Sequence, residues 1–500
     1  MPATRKLPSP VTILMIVIVI AALATWLIPA GRYNTLAFAE GNGFVLNTAD
    51  GDQLLPLTQH TLDSLQVRIS LDKFVSGAIR KPVSVPGTYQ HVESNGQGLI
   101  AVLQAPLKGI YETIDIVLFI LVIGGFMTIF HESGAMVRGL ASLSHMMKGK
   151  ESWLIIILTF LFSFGGASFG MAEEGLVFYP FMVPLFLAAG YDLLVPVAVI
   201  FGGTQLGSLS SFTNPFSTII ASNAAGVNWS DGLNGRVIMF IVSTAIIITY
   251  IVRYANKVKK TPSMSLVYRI DGHVKTQYDT IPGTNEPTPA LDVKTKLLLF
   301  LFLATFLGMV AGVVFWDWWL LEMTTLFLAS SILLAVVLRI KEKVYVTQFI
   351  KGAEGLLSVA FIVGIARGAT VMLNEGHISD SILYYAARLV HSMPPGIFIV
   401  MLLALFMIFT LFIASSSGMA VLTMPIMGAL GLMVHVPGRE IVNTYLYGMG
   451  IMGFITPTGL ILPSLALVNV SVKAWWRFIY PLLIILFIVC SVFLVIGIFL

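Results

Sequence analysis

The 500-residue sequence predicts an all-α polytopic membrane protein of inverted repeats with two re-entrant hairpins and two broken helices. Three observations point there. Apolar residues of the AVILMFWYC set make up 57% of the chain, charged residues only 11%, and mean hydropathy is +0.90. A water-soluble globule could not hide that much apolar side chain, so apolar faces must meet lipid. Apolar runs recur along the whole length, several of them short and interrupted by Gly, Ser and Pro, and landmarks of the first half return in the second at a near-constant spacing.

The same composition narrows function. A soluble enzyme is excluded. The net charge of +4 is spread without a basic block, so no nucleic-acid partner is expected and charge reads as topology. Cys490 is the single cysteine, which rules out an intrachain disulfide or a cysteine metal site. The eight histidines are scattered and form no His-Glu-x-x-His, so metal hydrolysis is not expected. No Walker loop, Rossmann fingerprint or kinase signature occurs, so no nucleotide cofactor is expected.

Residues 11–29 are apolar behind Arg5 and Lys6 and lack a clean A-x-A cleavage site, so residues 1–29 read as a first transmembrane helix. Residues 30–108 are polar, punctuated by Gly, Asp and Pro, with short β-like runs such as 65–71, and read as an extracytoplasmic loop. A first membrane repeat is expected over 109–252, a cytoplasmic loop over 253–295, connecting helices over 296–350 and the second repeat over 351–500. Residues 153–164 would give only about 18 Å of helix against a hydrocarbon core of about 30 Å, the mark of a half-length hairpin arm. Trp316, Trp318, Trp319, Trp475 and Trp476 sit at span ends as interfacial anchors.

Lys and Arg distribution orients the chain. Nineteen of the 29 fall at the N-terminus, 134–151, 253–296, 339–351 and 471–477, which are assigned to the cytoplasm. Nine others, Arg236 among them, are assigned outside, and Arg367 lies within a span. The result is a multi-pass protein of the cell (inner) membrane with nine crossings, its N-terminus cytoplasmic and its C-terminus extracytoplasmic.

Lys108 and Gly109 precede a span ending near Glu132, and Lys351 and Gly352 precede one ending near Glu375, 243 residues later. An amphipathic stretch follows each, 134–148 and 378–391. Gly170 and Gly418 head the next match, at a spacing of 248, and Thr-Asn-Pro at 213–215 matches Ile-Thr-Pro at 455–457, at 242. The charge map places the two amphipathic stretches on opposite sides, so the repeats are inverted. Inverted repeats with interrupted helices hold a binding site near the midplane, as transporters do.

Glu173 and Glu174 follow the Gly165–Gly170 tip of an apolar hairpin. Carboxylates at that depth imply a polar cavity, a cation or protonation, unless one caps the return arm while the other reaches water. Ser211, Thr213 and Asn214 sit where Pro215 breaks a helix and frees a carbonyl, an oxygen set that suits a sodium ion or a substrate carboxylate. Thr456 and Thr458 flank Pro457 opposite a second tip containing Ser416 and Ser417. Arg367 could take a substrate carboxylate or pair with a Glu. Gln205 and Asn443 are weaker candidates.

The segments FGGASFGMAEE at 164–174, SFTNPF at 211–216 and ASSSGMAVLTMP at 414–425 look like the YfcC branch of the C4-dicarboxylate anaerobic carrier-like family, within the ion transporter superfamily. That resemblance implies a secondary carrier, a homodimer with an elevator mechanism, coupled to Na+ or H+ or working by exchange. It also implies that Ser168, Thr213 and Asn214, with Ser416, Ser417, Thr456 and Thr458, line the substrate and cation sites beside Gly170. Family names divide between dicarboxylate carriage and, provisionally, basic amino-acid antiport. Two Glu against one Arg367 favours an amino acid over a dianion. A channel or regulatory membrane protein is the competing class. An intramembrane serine hydrolase at Ser415, Ser416 or Ser417 is disfavoured, since His391 and His435 both lie near the outer surface.

Overall fold

A computed structural model describes residues 9–499 except 40–42, 49–50, 68, 76–78, 80–81, 136–137, 140–141, 143–149, 272–290, 317, 319, 391–392 and 414. Arg5, Lys6, most of the stretch 134–148, Trp319 and His391 lie outside the described residues. Helix α1, Pro10–Leu27, starts behind a Ser9 cap and leads into a small domain. There β1 (Gly31–Arg32) pairs with β6 (Gln90–His91), and β2 (Thr35–Ala39), β3 (Gly43–Thr48), β4 (Gly51–Leu55) and β5 (Val83–Ser84) form an antiparallel sheet ordered β4-β3-β2-β5. In the β2–β3 pair Thr35 faces Asn47 and Ala39 faces Gly43. The helices α2 (Gln59–Ser64) and α3 (Leu71–Val75) cover it, with Leu36, Phe44, Leu62 and Phe74 buried between. In the run 65–71, expected as β-like, the described residues 65–67 and 69–70 are irregular and Leu71 opens α3. The run begins at the end of α2, where Gln66 takes a positive φ of 55°, so its alternation has no neighbouring strand to pair with.

The membrane part follows as α4 (Leu99–Glu112), α5 (Ile114–Glu132), α6 (Glu151–Ser168), α7 (Tyr179–Ala188), α8 (Leu194–Leu209), α9 (Ile220–Ala224) and α10 (Leu233–Lys260). Then come α11 (Leu266–Asp271), α12 (Val293–Trp316), α13 (Leu320–Leu338), α14 (Glu342–Glu375), α15 (Ser379–Val390), α16 (Pro395–Phe412), α17 (Ser416–Met433), α18 (Gly438–Gly453), α19 (Ile461–Val468) and α20 (Val472–Phe499). Among the described residues eight helical segments are long and apolar enough to cross a membrane. The chain is a multi-pass membrane protein.

Four expected boundaries, those at 108/109, 252/253, 295/296 and 350/351, fall inside the helices α4, α10, α12 and α14. α4 begins within the segment read as loop, and α14 begins before residue 351, because both helices continue past their charged ends to pack on each other. A Cβ on Gly109 would lie 2.3 Å from the Gly364 carbonyl oxygen, and one on Gly352 only 2.2 Å from that of Gly124. Small residues bring the backbones together where lipid supplies no hydrophobic drive. Gly352→Ala is therefore expected to lower the thermal unfolding temperature of the purified protein. Gly355→Ala, where nothing stands within 4 Å of the new Cβ, should leave it unchanged or raise it slightly, since Ala favours helix over Gly by about 1 kcal/mol.

The first hairpin arm is longer than expected. α6 runs 18 residues, through Gly165, Gly166 and Ser168, because the glycines do not turn the chain: Gly166 seats it against α8, and Gly165 leaves room for Phe169 and Met171 of the turn. A Cβ on Gly166 would stand 2.3 Å from the Thr204 carbonyl oxygen, and one on Gly207 2.1 Å from that of Ser163. The turn comes at 169–172, with Gly170 at φ 83° and its N–H donating to Gly165 O. The segment still returns to its starting level. Lys259 Nζ stands 2.8 Å from Glu151 Oε1 at the entry and 5.5 Å from the Tyr191 ring centre at the exit. α16, ending at Phe412, and α17, starting at Ser416, make the second such pair, with α16 as long as α6.

Candidate functional site

Each hairpin turn is bolted to a break in a neighbouring helix. α8 stops at Leu209, and helix resumes as a wide π turn, Pro215–Ile219, leading into α9. Between them Phe212 and Thr213 donate their N–H groups to Ala167 O at 3.1 and 3.3 Å. Thr213 Oγ1 donates to Ser168 O at 2.9 Å, and Asn214 Nδ2 to Gly166 O at 3.3 Å. These are the last carbonyls of α6, which a helix end leaves without intrahelical partners. Asn214 Oδ1 accepts from Phe216 N at 2.8 Å and Ser217 N at 3.3 Å, capping the resumed helix. Asn214 also lies against the turn itself, where a Cβ on Gly170 would be 2.7 Å from Asn214 Oδ1.

The second break repeats the scheme. Helix α18 ends at Gly453 and α19 begins at Ile461. Thr456 Oγ1 donates to Thr410 O at 3.2 Å, Thr458 Oγ1 to Leu411 O at 3.4 Å, and the two hydroxyls lie 3.0 Å apart. Thr370 of α14 donates to Phe412 O at 3.0 Å. Tyr445 OH donates to Ser416 O at 2.8 Å, and Ser415 Oγ accepts from Gly418 N at 3.1 Å. Gln205 Nε2 of α8 donates to Gly450 O of α18 at 3.0 Å, bracing one broken helix on the other. In hydrogen-bond terms Thr213 matches Thr456, a spacing of 243 rather than 242.

The structure rearranges several candidates. Ser168 turns its hydroxyl back onto Phe164 O at 2.6 Å and contributes its carbonyl instead. Ser211 does not converge with Thr213 and Asn214. Its Oγ lies 2.5 Å from Thr218 Oγ1 and 3.3 Å from Ser217 Oγ, while Thr218 Oγ1 donates to Ser211 O at 3.2 Å. Arg367 points at Glu112 of α4, Nε to Oε2 2.7 Å, so the guanidinium already has a carboxylate. Arg236, assigned to the outside by charge, is 1% exposed in the first turn of α10, where it donates to Gly232 O and Trp229 O. Asn443 donates to Glu440 at 3.1 Å. Ser416 and Ser417 open α17 rather than forming the turn.

The two glutamates separate. Glu174 is 8% exposed, and its Oε2 accepts from Ala172 N at 2.9 Å at the start of the 3-10 turn Glu173–Phe178. Glu173 is within electrostatic range of Glu174 and, more weakly, of Asp115 at the start of α5. Ser217 and Thr218 were findable, being hydroxyls just past Pro215. Thr370, Thr410, Tyr445 and Asp115 were not, because only tertiary packing brings them in.

Sequence comparison decides the family. The chain matches the DcuC family, C4-dicarboxylate anaerobic carrier, over residues 7–499. It belongs to that family. This DcuC-family chain is accordingly a membrane transporter. It is 36% identical to an uncharacterized protein of Haemophilus influenzae (strain Rd) over 99% of this chain and 97% of that protein. Identity is 28% to YfcC of Escherichia coli (strain K12), provisionally named a basic amino acid antiporter, over 99% and 97% respectively. Among solved structures the DcuC-family chain aligns with the YdaH transporter of Alcanivorax borkumensis, at TM-score 0.40 and 13% identity over 98% of each chain. It aligns with MtrF of Neisseria gonorrhoeae, described within a class of antimetabolite efflux pumps, at 0.40 and 15%, over 99% of this chain and 96% of that one.

Proposed function

We propose that the protein is a secondary active transporter of a small carboxylate-bearing metabolite, an amino acid, driven by Na+ or H+ or by exchange. One observation carries the reading: in a transporter-family chain, two unwound helix breaks are each held by the end carbonyls of a hairpin arm. Unwound segments of this kind expose oxygens and helix termini to a ligand. An internal repeat is supported by α14, 34 residues long, and by residues 99–132, equally long and 243 residues earlier, and its inversion by the charge map. On this reading the hairpins and broken helices move together as an elevator against α4, α5 and α14, in a homodimer, with the N-terminus cytoplasmic and the C-terminus outside.

The amino-acid assignment follows from charge. Glu112 already neutralises Arg367, which leaves Glu173 and Glu174, with Asp115 nearby, as unbalanced negative charges at the turn and disfavours a dianion. The provisional name of YfcC agrees with that direction, while the family description speaks for a C4-dicarboxylate. A coupling Na+ would find oxygen donors alone in the Ser211, Ser217 and Thr218 cluster. The test is counterflow in proteoliposomes with amino acids and dicarboxylates, varying sodium and pH gradients independently. Uptake of arginine, ornithine or a neutral amino acid is expected. Succinate uptake that depends on Arg367 would overturn the amino-acid assignment, and absence of saturable counterflow would overturn the carrier reading in favour of a channel.

A further inference from the structure

Away from both hairpin turns, the small β domain meets α15 and α17 at an open cleft of about 450 Å3, lined by Tyr33, Tyr89, Tyr384, Arg388 and Leu430 among others. That volume is within the range of small-molecule sites, about 300–1,000 Å3. Its walls are fixed from both sides. The Tyr89 and Tyr384 rings stack with centres 3.9 Å apart at 7°, and Tyr33 leans on Tyr89 at 5.4 Å. Tyr89 OH and Ser381 Oγ lie 2.9 Å apart, and the Tyr33 N–H donates to Asp380 Oδ2 at 2.9 Å. These contacts tie the β domain to α15, so the aromatic surface is held in place before any ligand arrives.

Arg388 supplies the charge. It stands one helical turn after Tyr384, with its guanidinium carbon 5.8 Å from that ring's centre. Among the described residues no carboxylate lies within ion-pair distance of it, and none lines the cleft. A guanidinium lying over an aromatic face keeps its in-plane donors for a second partner, and its fork matches a carboxylate. Tyrosine faces accept the apolar or cationic remainder of a small metabolite. Leu430 belongs to α17, the second hairpin's returning arm, so an occupant would touch an element of the transport machinery.

We propose that this cleft is a capture site for a small carboxylate-bearing metabolite, its carboxylate on Arg388 and its body against Tyr33 and Tyr89. The choice of ligand class rests on the transport reading above. The full-length protein in lipid nanodiscs would be treated with phenylglyoxal, and modification of Arg388 followed by mass spectrometry, with L-arginine, L-aspartate or succinate as probes and putrescine as the carboxylate-free control. A carboxylate probe is expected to slow modification by about fivefold or more, as occupancy of a guanidinium's donors requires, and putrescine to leave it unchanged. Arg388→Ala should raise the half-saturation concentration for counterflow about tenfold, the loss of one charged hydrogen-bonded pair, with a smaller effect on maximal rate. Arg388→Lys should give an intermediate shift, and it carries the test if the alanine variant does not fold. Equal modification with and without every probe overturns the cleft while counterflow keeps the transporter reading. Protection by a carboxylate without counterflow of any probe keeps the cleft and overturns the transporter reading.

Discussion

Replacing Asn214 by alanine is expected to reduce counterflow about a hundredfold while leaving folded protein in the membrane. The substitution removes three hydrogen bonds at once: Nδ2 to Gly166 O, and the acceptance by Oδ1 of Phe216 N and Ser217 N. At about 1 kcal/mol each their sum is about 3 kcal/mol, and every 1.4 kcal/mol is a factor of ten. The loss falls on the break itself, because Thr213 and Phe212 still hold the Ala167 and Ser168 carbonyls. Asn214→Asp keeps the capping oxygen and loses only the donor, so it should fall between alanine and the native protein. Gly170→Ala approaches the same contact from the other side, adding a Cβ 2.7 Å from Asn214 Oδ1 at a backbone φ of 83°, and should impair transport comparably. Rates would be normalised to protein per vesicle and compared with thermal unfolding of the same variants. Native-like counterflow by Asn214→Ala would mean that the break is merely a structural joint, and the proposed site would fall.

Both helix breaks were legible because their cause is local. Pro215 and Pro457 stand among Ser, Thr and Asn in otherwise apolar runs, and a missing backbone donor interrupts a helix wherever it occurs. The membrane spans were legible for the same kind of reason, since about 20 apolar residues leave few alternatives. What failed was the meaning of glycine. Gly165 and Gly166 read as a turn, yet they extend α6, Gly166 because the backbone of α8 comes close enough to need it and Gly165 because the side chains of Phe169 and Met171 fold back against it. A glycine that turns and a glycine that packs look alike until the neighbouring helix is known. Arg367 shows the same limit for charge, its partner Glu112 standing 255 residues away. Ser211 was placed at the correct break and assigned the wrong companions, since its orientation depends on the π turn that follows Pro215. The β domain offered least of all, because its short strands gain meaning only by pairing with each other.

Glu173→Gln is expected to lower counterflow at least about tenfold and to abolish its response to a pH gradient, whereas Glu174→Gln should retain most activity. The two side chains are adjacent in sequence but differ in what they meet. Glu174 holds the start of its turn through Ala172 N–H, and a glutamine oxygen can accept that bond equally well. Glu173 is in electrostatic range of Glu174 and, more weakly, of Asp115 across the seam between the first hairpin and α5. Neighbouring carboxylates repel each other unless a cation or proton sits between them, and a charged carboxylate in a membrane interior costs a few kcal/mol. A tenfold change is about 1.4 kcal/mol, well within that range. Removing the charge of Glu173 should therefore remove the reason for a cation to travel with the substrate. Asp115→Asn should produce a weaker version of the same phenotype, and the double variant should be no worse than Glu173→Gln alone if the two act as one unit. Uptake driven by an imposed pH gradient, measured beside exchange at equal pH, separates coupling from binding. If Glu173→Gln transports with its pH response intact while Glu174→Gln does not, the roles are reversed; if both variants retain the response, neither carboxylate carries the coupling proton, and another titratable group does.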